Sequence, residues 1–267
     1  MTVFQALILG LLQGLAEFLP ISSSAHLVLA PWFFGWPDSG LAFDVSLHLG
    51  TLLALAWYFR LEWLKLARSA MAILRTRRVE TPEEKRVVFL VIASVPAGIA
   101  GLLLEDAAES AFRSPAIIGV ALIIMGGVLW LADRYASRER SLPDMRARDA
   151  LLVGVAQTFA LLPGVSRSGS TITGARLLGF DRSSAAVFSF LMSMPITGAA
   201  VAVKLPDAIG EGGLSAPLLV GIMAAAFSSW FAIAVLLRYV SRRSYGVFAL
   251  YRLLFGALVL ATYYARQ

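Results

Sequence analysis

Long apolar stretches with few polar interruptions dominate this chain of 267 residues. Several of them reach about 20 residues, the length that an α-helix needs to cross the hydrocarbon core of a bilayer. They lie at approximately 41–59, 86–104, 115–132, 184–203, 217–237 and 247–264. The pattern therefore predicts six membrane-spanning helices.

Two further apolar regions, about 3–34 and 150–180, do not have the form of a simple span. Each consists of a short apolar half, a break rich in Pro, Ser and Gly, and a second short apolar half. At membrane depth such a break is tolerated only where protein buries it or where it lines a wet cavity. We therefore expect two re-entrant helical hairpins, each of which enters and leaves the membrane on one side.

Basic residues are concentrated in alternate loops, at about 60–86, 133–149 and 238–243, whereas 105–114 and 204–216 hold one each. The positive-inside rule places the three basic loops in the cytoplasm. The first hairpin then opens to the outside and the second to the cytoplasm. The sequence thus predicts an all-α, polytopic integral membrane protein with a single membrane domain, 1–267. Its halves, about 1–135 and 145–267, form an inverted repeat.

Composition agrees with this class, since 58% of the residues are hydrophobic and the mean hydropathy is +0.76. The net charge of +6 follows from the basic loops, so membrane orientation explains it without a nucleic-acid partner. The absence of cysteine from the sequence excludes thiolate chemistry and disulfides. Segment 61–78 fits either an amphipathic helix on the cytoplasmic surface or an ordinary basic loop.

The first hairpin carries an acidic residue and a cluster of hydroxyl groups, which are costly inside a membrane. Gln13 and Glu17 are four residues apart and share one face of a helix. An ionised Glu17 would suit Mg²⁺ or Ca²⁺, which prefer oxygen ligands.

The serine triplet that follows has two interpretations. Ser22, Ser23 and Ser24 fit a helix N-cap, a common position for serine. Alternatively, a serine acts as a nucleophile and His26, three residues beyond Ser23, acts as its base or protonates a leaving group.

The second hairpin carries an arginine among small polar residues. Arg167 offers a planar fork that matches phosphate oxygens. Its neighbours are Gly164, Ser166, Ser168 and Thr171. No Gly-x-x-x-x-Gly-Lys sequence is present, so nucleotide hydrolysis of the P-loop kind is unsupported. Arg176 and Arg182 lie near the returning end, where their side chains are expected to reach the membrane surface.

Spacing connects the two hairpins. Gln13 precedes Ser22 by nine residues, and Gln157 precedes Ser166 by nine. Opposed hairpins of an inverted repeat meet near the membrane midplane, so Glu17 and Arg167 are predicted to share one site. Carboxylate, guanidinium, hydroxyl and imidazole groups together suit a pyrophosphate, because phosphoryl transfer needs positioning and charge neutralisation.

Three further polar residues carry less weight. Asp44 and His48 share a face of span 41–59 and either line the site or lie near the interface. Arg252 in the last span either has a structural partner or faces a polar interior.

At these motifs the sequence strongly resembles the bacterial undecaprenyl-pyrophosphate phosphatase family, the bacitracin-resistance type. The matching residues are Gln13-x-x-x-Glu17, the following Phe-Leu-Pro-x-Ser-Ser-x-x-His26, and Pro-Gly-x-Ser-Arg-Ser-x-x-Thr171. The resemblance implies removal of the terminal phosphate from undecaprenyl pyrophosphate, which recycles the lipid carrier of peptidoglycan synthesis. It also implies a divalent cation, Mg²⁺ or Ca²⁺, and an active site that opens to the periplasmic side of the bacterial inner membrane.

The resemblance also implies residue roles. Glu17 is expected to bind metal or assist catalysis, Ser23 to be the nucleophile, His26 the acid or base, and Arg167 the pyrophosphate clamp. Gln13 stands where many members have a glutamate, and it cannot be an anionic metal ligand. Substrate contacts are expected from the other polar residues of both motifs, namely Gln13, Ser22, Ser24, Gly164, Ser166, Ser168 and Thr171.

Two rival functions remain open at this point. Inverted repeats with broken helices are also a transporter architecture, so the chain could transport or flip a lipid phosphate or another anion. A lipid phosphatase of the acid-phosphatase type, with a histidine nucleophile, is weakened because its Lys-x₆-Arg-Pro and Ser-Arg-x₅-His elements are absent from the sequence. A homodimer is compatible with the sequence, which does not fix the oligomeric state.

Overall fold

The structure is a computed structural model that describes residues 1–104 and 113–267, so most of the predicted loop at 105–114 lies outside the described residues. The described chain is built from α-helices joined by short turns. They are α1 (Val3–Phe18), α2 (Ser23–Phe34), α3 (Gly40–Tyr58), α4 (Arg60–Thr76), α5 (Pro82–Leu103), α6 (Pro115–Tyr135), α7 (Ala147–Thr158), α8 (Arg167–Leu177), α9 (Arg182–Gly212), α10 (Ala216–Val240) and α11 (Gly246–Ala265).

Six helices of the described chain are long and apolar enough to cross a membrane, which confirms the predicted number of spans. They are α3, α5, α6, α9, α10 and α11. One boundary was predicted wrongly, because α9 continues through most of the expected loop at 204–216. Pro206 lies inside this helix and does not end it. The helix ends at Gly212, and the capping residue is Gly213, whose φ of 65° favours glycine.

Segment 61–78 is helical over most of its length, so of its two interpretations the helix is correct. Leu66 of α4 is buried, and Glu62 pairs with Arg86 of α5. Leu61 and Leu74 on the same helix are exposed. An apolar, exposed flank beside basic residues is typical of a helix that lies on a membrane surface, and that placement of α4 stays a prediction.

The two expected hairpins are pairs of short helices on either side of a break. α1 and α2 have 16 and 12 residues, and α7 and α8 have 12 and 11. At 1.5 Å per residue these helices measure about 16–24 Å, less than the roughly 30 Å of a hydrocarbon core. No member of either pair can therefore cross the membrane alone. Entry and exit on one side of the membrane stay a prediction.

Each hairpin packs on a spanning helix from the other half of the chain. α1 packs against α10, and α7 packs against α5. Gly10 and Gly154, each three residues before a hairpin glutamine, allow this approach. A Cβ atom on Gly10 would lie 2.2 Å from the carbonyl oxygen of Gly221, and one on Gly154 would lie 2.5 Å from that of Ala93. These reciprocal contacts are what an inverted repeat predicts; the repeat and its boundary remain proposals.

A buried ion cluster holds four helices together at the end of the molecule that carries the basic loops. Asp133 of α6 accepts hydrogen bonds from Arg182 Nε (2.7 Å), from Arg176 Nε (3.3 Å) and from the backbone N–H of Tyr245 (3.0 Å). Arg176 is fully buried, so the expectation that it reaches the membrane surface was wrong. The carboxylate, which the sequence analysis did not pair with it, compensates the burial of its charge.

Candidate active site

The break of the first hairpin turns on Ser22. Its φ of 76° is unusual for a residue other than glycine, and its Oγ accepts a hydrogen bond from the N–H of Ala25 at the start of α2. On the helix before the break, Gln13 Nε2 donates to Glu17 Oε2 at 3.0 Å. This bond confirms that the two side chains share one face.

The break of the second hairpin repeats this local geometry. Ser166 has a φ of 74°, and its Oγ accepts from the N–H of Gly169 at 3.0 Å. Gly164 has a φ of 97°, and a Cβ atom there would lie 2.7 Å from the carbonyl oxygen of Ile118. Both the conformation and the space therefore require glycine at position 164.

The two breaks contact each other directly. The N–H of Gly164 donates to Ser22 Oγ at 3.1 Å, and Ser168 Oγ donates to the carbonyl oxygen of Leu19 at 3.1 Å. Each hairpin thus satisfies a polar group of the other. Backbone that has left the helix is in this way buried in protein, as a membrane location demands.

Arg252 of α11 forms hydrogen bonds with the backbone of both breaks. It is fully buried, and its guanidinium donates to the carbonyl oxygens of Pro20 (3.2 Å), Gly164 (2.7 Å) and Val165 (2.9 Å). These carbonyls belong to both hairpins. Of the two alternatives for Arg252, the structural partner is therefore the one that the contacts support.

Glu17 is the centre of a cluster drawn from both hairpins and from α3. Its Oε2 accepts a hydrogen bond from Ser23 Oγ at 2.7 Å, and its Oε1 accepts one from Arg167 Nη2 at 3.1 Å. His48 Nε2 lies 3.3 Å from Oε2. The structure therefore brings Glu17 and Arg167 together as the spacing argument predicted, and it adds His48.

Arg167 is positioned by the helix that follows it. Its Nη1 donates to the carbonyl oxygen of Ser189 on α9 at 2.8 Å. Thr171, one turn later, donates from Oγ1 to the carbonyl oxygen of Arg167 at 2.8 Å and lies 2.7 Å from Ser189 Oγ. Thr171 thus helps to hold Arg167 and its partner Ser189 in place.

A cavity of about 520 Å³ opens onto this cluster. Its polar end is lined by Glu17, Ser23, Ser24, His48, Gln157, Ser166 and Arg167. Its walls come from apolar positions of α5 and α9, among them Ala97, Gly98, Ile196 and Ala200. Asp44 and Arg113, which are 3.1 Å apart, line it near the start of α3 and of α6. Such a cavity offers a charged floor to a polar headgroup and an apolar side to its chain.

Several of the expected substrate residues do not line this cavity. Within the described chain they lie behind its wall, where they hold the breaks or the cluster in place: Gln13, Ser22, Gly164, Ser168 and Thr171.

His26 also lies outside the cavity lining. Its Nδ1 donates to the carbonyl oxygen of Ser22 at 2.7 Å, and its Nε2, the acceptor of the neutral ring, lies 2.6 Å from Tyr251 Oη. The ring stacks on Phe255 with centroids 4.9 Å apart. Its expected acid or base role stays a prediction, because no hydrogen bond among the described residues joins it to Glu17, Ser23 or Arg167.

The sequence left open whether Asp44 and His48 line the site or lie near the interface, and both line the cavity. Gln157 was used for its spacing and not as a site residue, although it occupies the position of Gln13 in the second motif.

Comparison with known proteins places this arrangement in a family. The model of the family described as bacitracin resistance protein BacA matches residues 6–258. The chain belongs to the BacA family. The match covers nearly the whole chain and confirms the resemblance found in the motifs.

Relatives of high identity cover the full length of the chain. It is 62% identical over 266 residues to an undecaprenyl-diphosphatase of Gemmatimonas aurantiaca, with 100% of both chains covered. It is 48% identical to the protein of that name from Pelotomaculum thermopropionicum, covering 100% of this chain and 99% of the relative. It is 46% identical to that of Moorella thermoacetica, with 100% of both covered.

Proposed function

We propose that this chain is an enzyme that hydrolyses undecaprenyl pyrophosphate to undecaprenyl phosphate and inorganic phosphate. Its relatives in the BacA family carry the name undecaprenyl-diphosphatase. One observation supports the chemistry most strongly: a single carboxylate, Glu17, contacts both a serine hydroxyl and a guanidinium on the floor of an apolar-walled cavity. Recycling this lipid carrier serves peptidoglycan synthesis and accounts for the association of the family with bacitracin resistance.

In the proposed reaction Ser23 attacks the terminal phosphorus. Ser23 Oγ already donates to Glu17 Oε2, so the carboxylate takes its proton as the Oγ–P bond forms and the bridging P–O bond breaks. The lipid monophosphate leaves as an anion. Glu17 then gives up its proton to the solvent of the cavity. Water attacks the phosphoserine, Glu17 takes a proton from that water and returns it to Ser23 Oγ as the Oγ–P bond breaks, and inorganic phosphate and free Ser23 result.

Arg167 supplies the positive charge that phosphoryl transfer needs. Charge on the phosphate oxygens grows in the transition state, and a guanidinium held in place in advance stabilises it. Arg167 is 13% exposed and is fixed through Ser189, so little reorganisation is needed at the moment of reaction.

Whether a metal ion fits beside Glu17 depends on which side chains around it could be ligands. Among the described residues no group of three or more His, Cys, Asp and Glu side chains could hold one. Glu17 alone does not make a resident site, and four side chains already contact its oxygens. The residues fit a Mg²⁺ or Ca²⁺ ion shared with the substrate, for which Glu17 would supply one ligand, since Mg²⁺ is often bound by one carboxylate and substrate phosphates. Such an ion would neutralise phosphate charge.

The polar cavity is proposed to open to the periplasmic side of the bacterial inner membrane. Its outer residues lie at the start of α3, before α6 and near the end of α9. The opposite ends of these helices adjoin the basic segments, which the positive-inside rule places in the cytoplasm.

Purified protein in detergent tests the proposed function. With Mg²⁺ or Ca²⁺ present it should release phosphate from a C55 or C15 pyrophosphate, and a chelator should abolish the release. No release, together with uptake of the lipid phosphate in liposomes, would instead support a transporter.

A Ser23→Ala variant tests the nucleophile. We expect it to lose at least about a hundredfold in turnover, because the attacking oxygen is gone. Rapid quenching of the wild-type reaction and mass spectrometry should find phosphate on the peptide that contains Ser23. Ser24→Ala, which removes a neighbouring hydroxyl that lines the same cavity, is the matched control and should lose less. Substantial turnover without Ser23 would favour direct attack by water.

A further inference from the structure

Buried polar atoms without a partner belong to two of the residues that line the cavity. In the described chain five buried side-chain nitrogen or oxygen atoms have no hydrogen-bond partner. Three of them belong to residues that line the cavity, namely both amide atoms of Gln157 and Nε of Arg167. Gln157 is only 2% exposed. Native proteins rarely leave such groups unpaired, and each instance needs an explanation.

The repeat explains why the amide of Gln157 is unpaired. In the first hairpin Gln13 donates to Glu17, four residues further along the helix. In the second hairpin the residue four positions after Gln157 is Leu161, which has no polar atom in its side chain. The second half thus has the amide without its carboxylate partner, and the amide belongs to the cavity wall.

Gln157 lines the cavity, and so do the polar residues around Glu17 and the apolar positions of α5 and α9. Leu161, one turn later, also lines the cavity, and a Cβ atom on Gly101 of α5 would lie 4.0 Å from it. Ser166 and Arg167 line the cavity across the break. A pyrophosphate whose terminal phosphate contacts Ser23 would place its second phosphate, the one bonded to the lipid chain, toward the apolar wall.

We propose that Gln157 is a substrate-binding residue whose amide N–H group donates to the phosphate that carries the polyprenyl chain. The inference rests on the proposed hydrolysis and adds the residue that holds the part of the substrate retained in the product. The unpartnered Nε–H of Arg167 is a second donor among the residues that line the cavity. Gln157 is a neutral donor, so it can bind the lipid monophosphate without retaining it as strongly as another cation would.

The test is a Gln157→Leu variant, which keeps the size of the side chain and removes its polar atoms. We expect the Kd of C15 monophosphate, measured by calorimetry in detergent, to rise about tenfold, the effect of one lost hydrogen bond to a charged group. KM for C15 pyrophosphate should rise by a similar factor and kcat should change little, whereas inhibition by inorganic phosphate should be unaffected. Tm should stay the same or rise, since no protein partner is lost.

A structural role predicts a different result. Gln13→Leu is the matched comparison, because it removes an amide that has a partner, and it should lower Tm. A lower Tm for Gln157→Leu with unchanged Kd and KM would overturn the inference. Gln157→Glu keeps the shape of the side chain but replaces the donor with an acceptor. It should bind C15 monophosphate more weakly than Gln157→Leu does. Binding as tight as that of the wild type would also overturn the inference.

The two proposals fail separately. If the wild type releases no phosphate, the proposed hydrolysis is wrong, and the binding of C15 monophosphate still tests Gln157. If the wild type releases phosphate and Gln157→Leu binds both lipids normally, only the role of Gln157 is wrong.

Discussion

Arg167→Ala is expected to lower the rate of phosphate release from C15 pyrophosphate at least about a hundredfold, the usual effect of losing an electrostatic clamp in an active site. Arg167 is the guanidinium of the cavity floor, and its Nη2 lies 3.1 Å from Glu17. Without it, the charge that develops on the transferred phosphate loses the guanidinium that stabilises it beside the Glu17 carboxylate. The measurement is steady-state phosphate release by the purified variant.

Arg167→Lys separates the effect of the positive charge from the effect of the guanidinium geometry. A lysine keeps the charge but not the fork, so it cannot contact Ser189, Glu17 and a phosphate together. We expect it to recover only part of the loss. Arg68→Ala, which removes an exposed arginine of α4, controls for the change in net charge and should leave turnover unchanged. Near-wild-type turnover of Arg167→Ala with a normal Tm would remove Arg167 from the reaction.

Glu17→Gln is expected to lower turnover by a comparable factor, at least about a hundredfold. The amide has nearly the same size, yet it cannot take the proton that Ser23 donates to Oε2. It also leaves Arg167 and His48 without a negative partner in a buried cluster, so Tm should fall as well. Turnover normalised to the folded fraction separates the two effects.

The matched control for Glu17 is Glu80→Gln, which removes an exposed carboxylate whose ion-pair partner in the described part of the chain is Arg78. It should change neither turnover nor Tm, because exposed ion pairs contribute little. If Glu17→Gln retained wild-type turnover at equal folded fraction, Ser23 would need another base, and the proposed chemistry would be wrong.

The fold followed from the sequence because a bilayer leaves few alternatives. Spans of apolar residues must be helices, and the breaks at Pro20 and Pro163 must be buried in protein. The equal spacing from Gln13 to Ser22 and from Gln157 to Ser166 then predicted a shared site, and the structure joins the two breaks through Ser22 and Gly164. The span predicted at 184–203 was too short, because α9 continues to Gly212 with Pro206 inside it; a proline inside a membrane helix does not have to terminate it.

The details of the site depend on packing that no local pattern contains. His26 stands three residues after Ser23 and was predicted to act as its base or to protonate a leaving group, a role that stays a prediction. Its ring packs against Tyr251 and Phe255 of α11. The hydroxyl of Ser23 donates to Glu17 on the preceding helix. Which side chains contact each other depends on how helices far apart in the chain pack. The sequence therefore identified most residues of the site but not every contact between them.

The most direct test of the account is a structure of the protein bound to a non-hydrolysable C15 methylene-bisphosphonate. We expect the terminal phosphonate to lie within hydrogen-bonding distance, about 3 Å, of both Ser23 Oγ and the Arg167 guanidinium. The lipid chain should follow the apolar wall formed by α5 and α9. A bisphosphonate bound elsewhere, with the pairing of Glu17, Ser23 and Arg167 undisturbed, would contradict the claim that both hairpins hold one pyrophosphate.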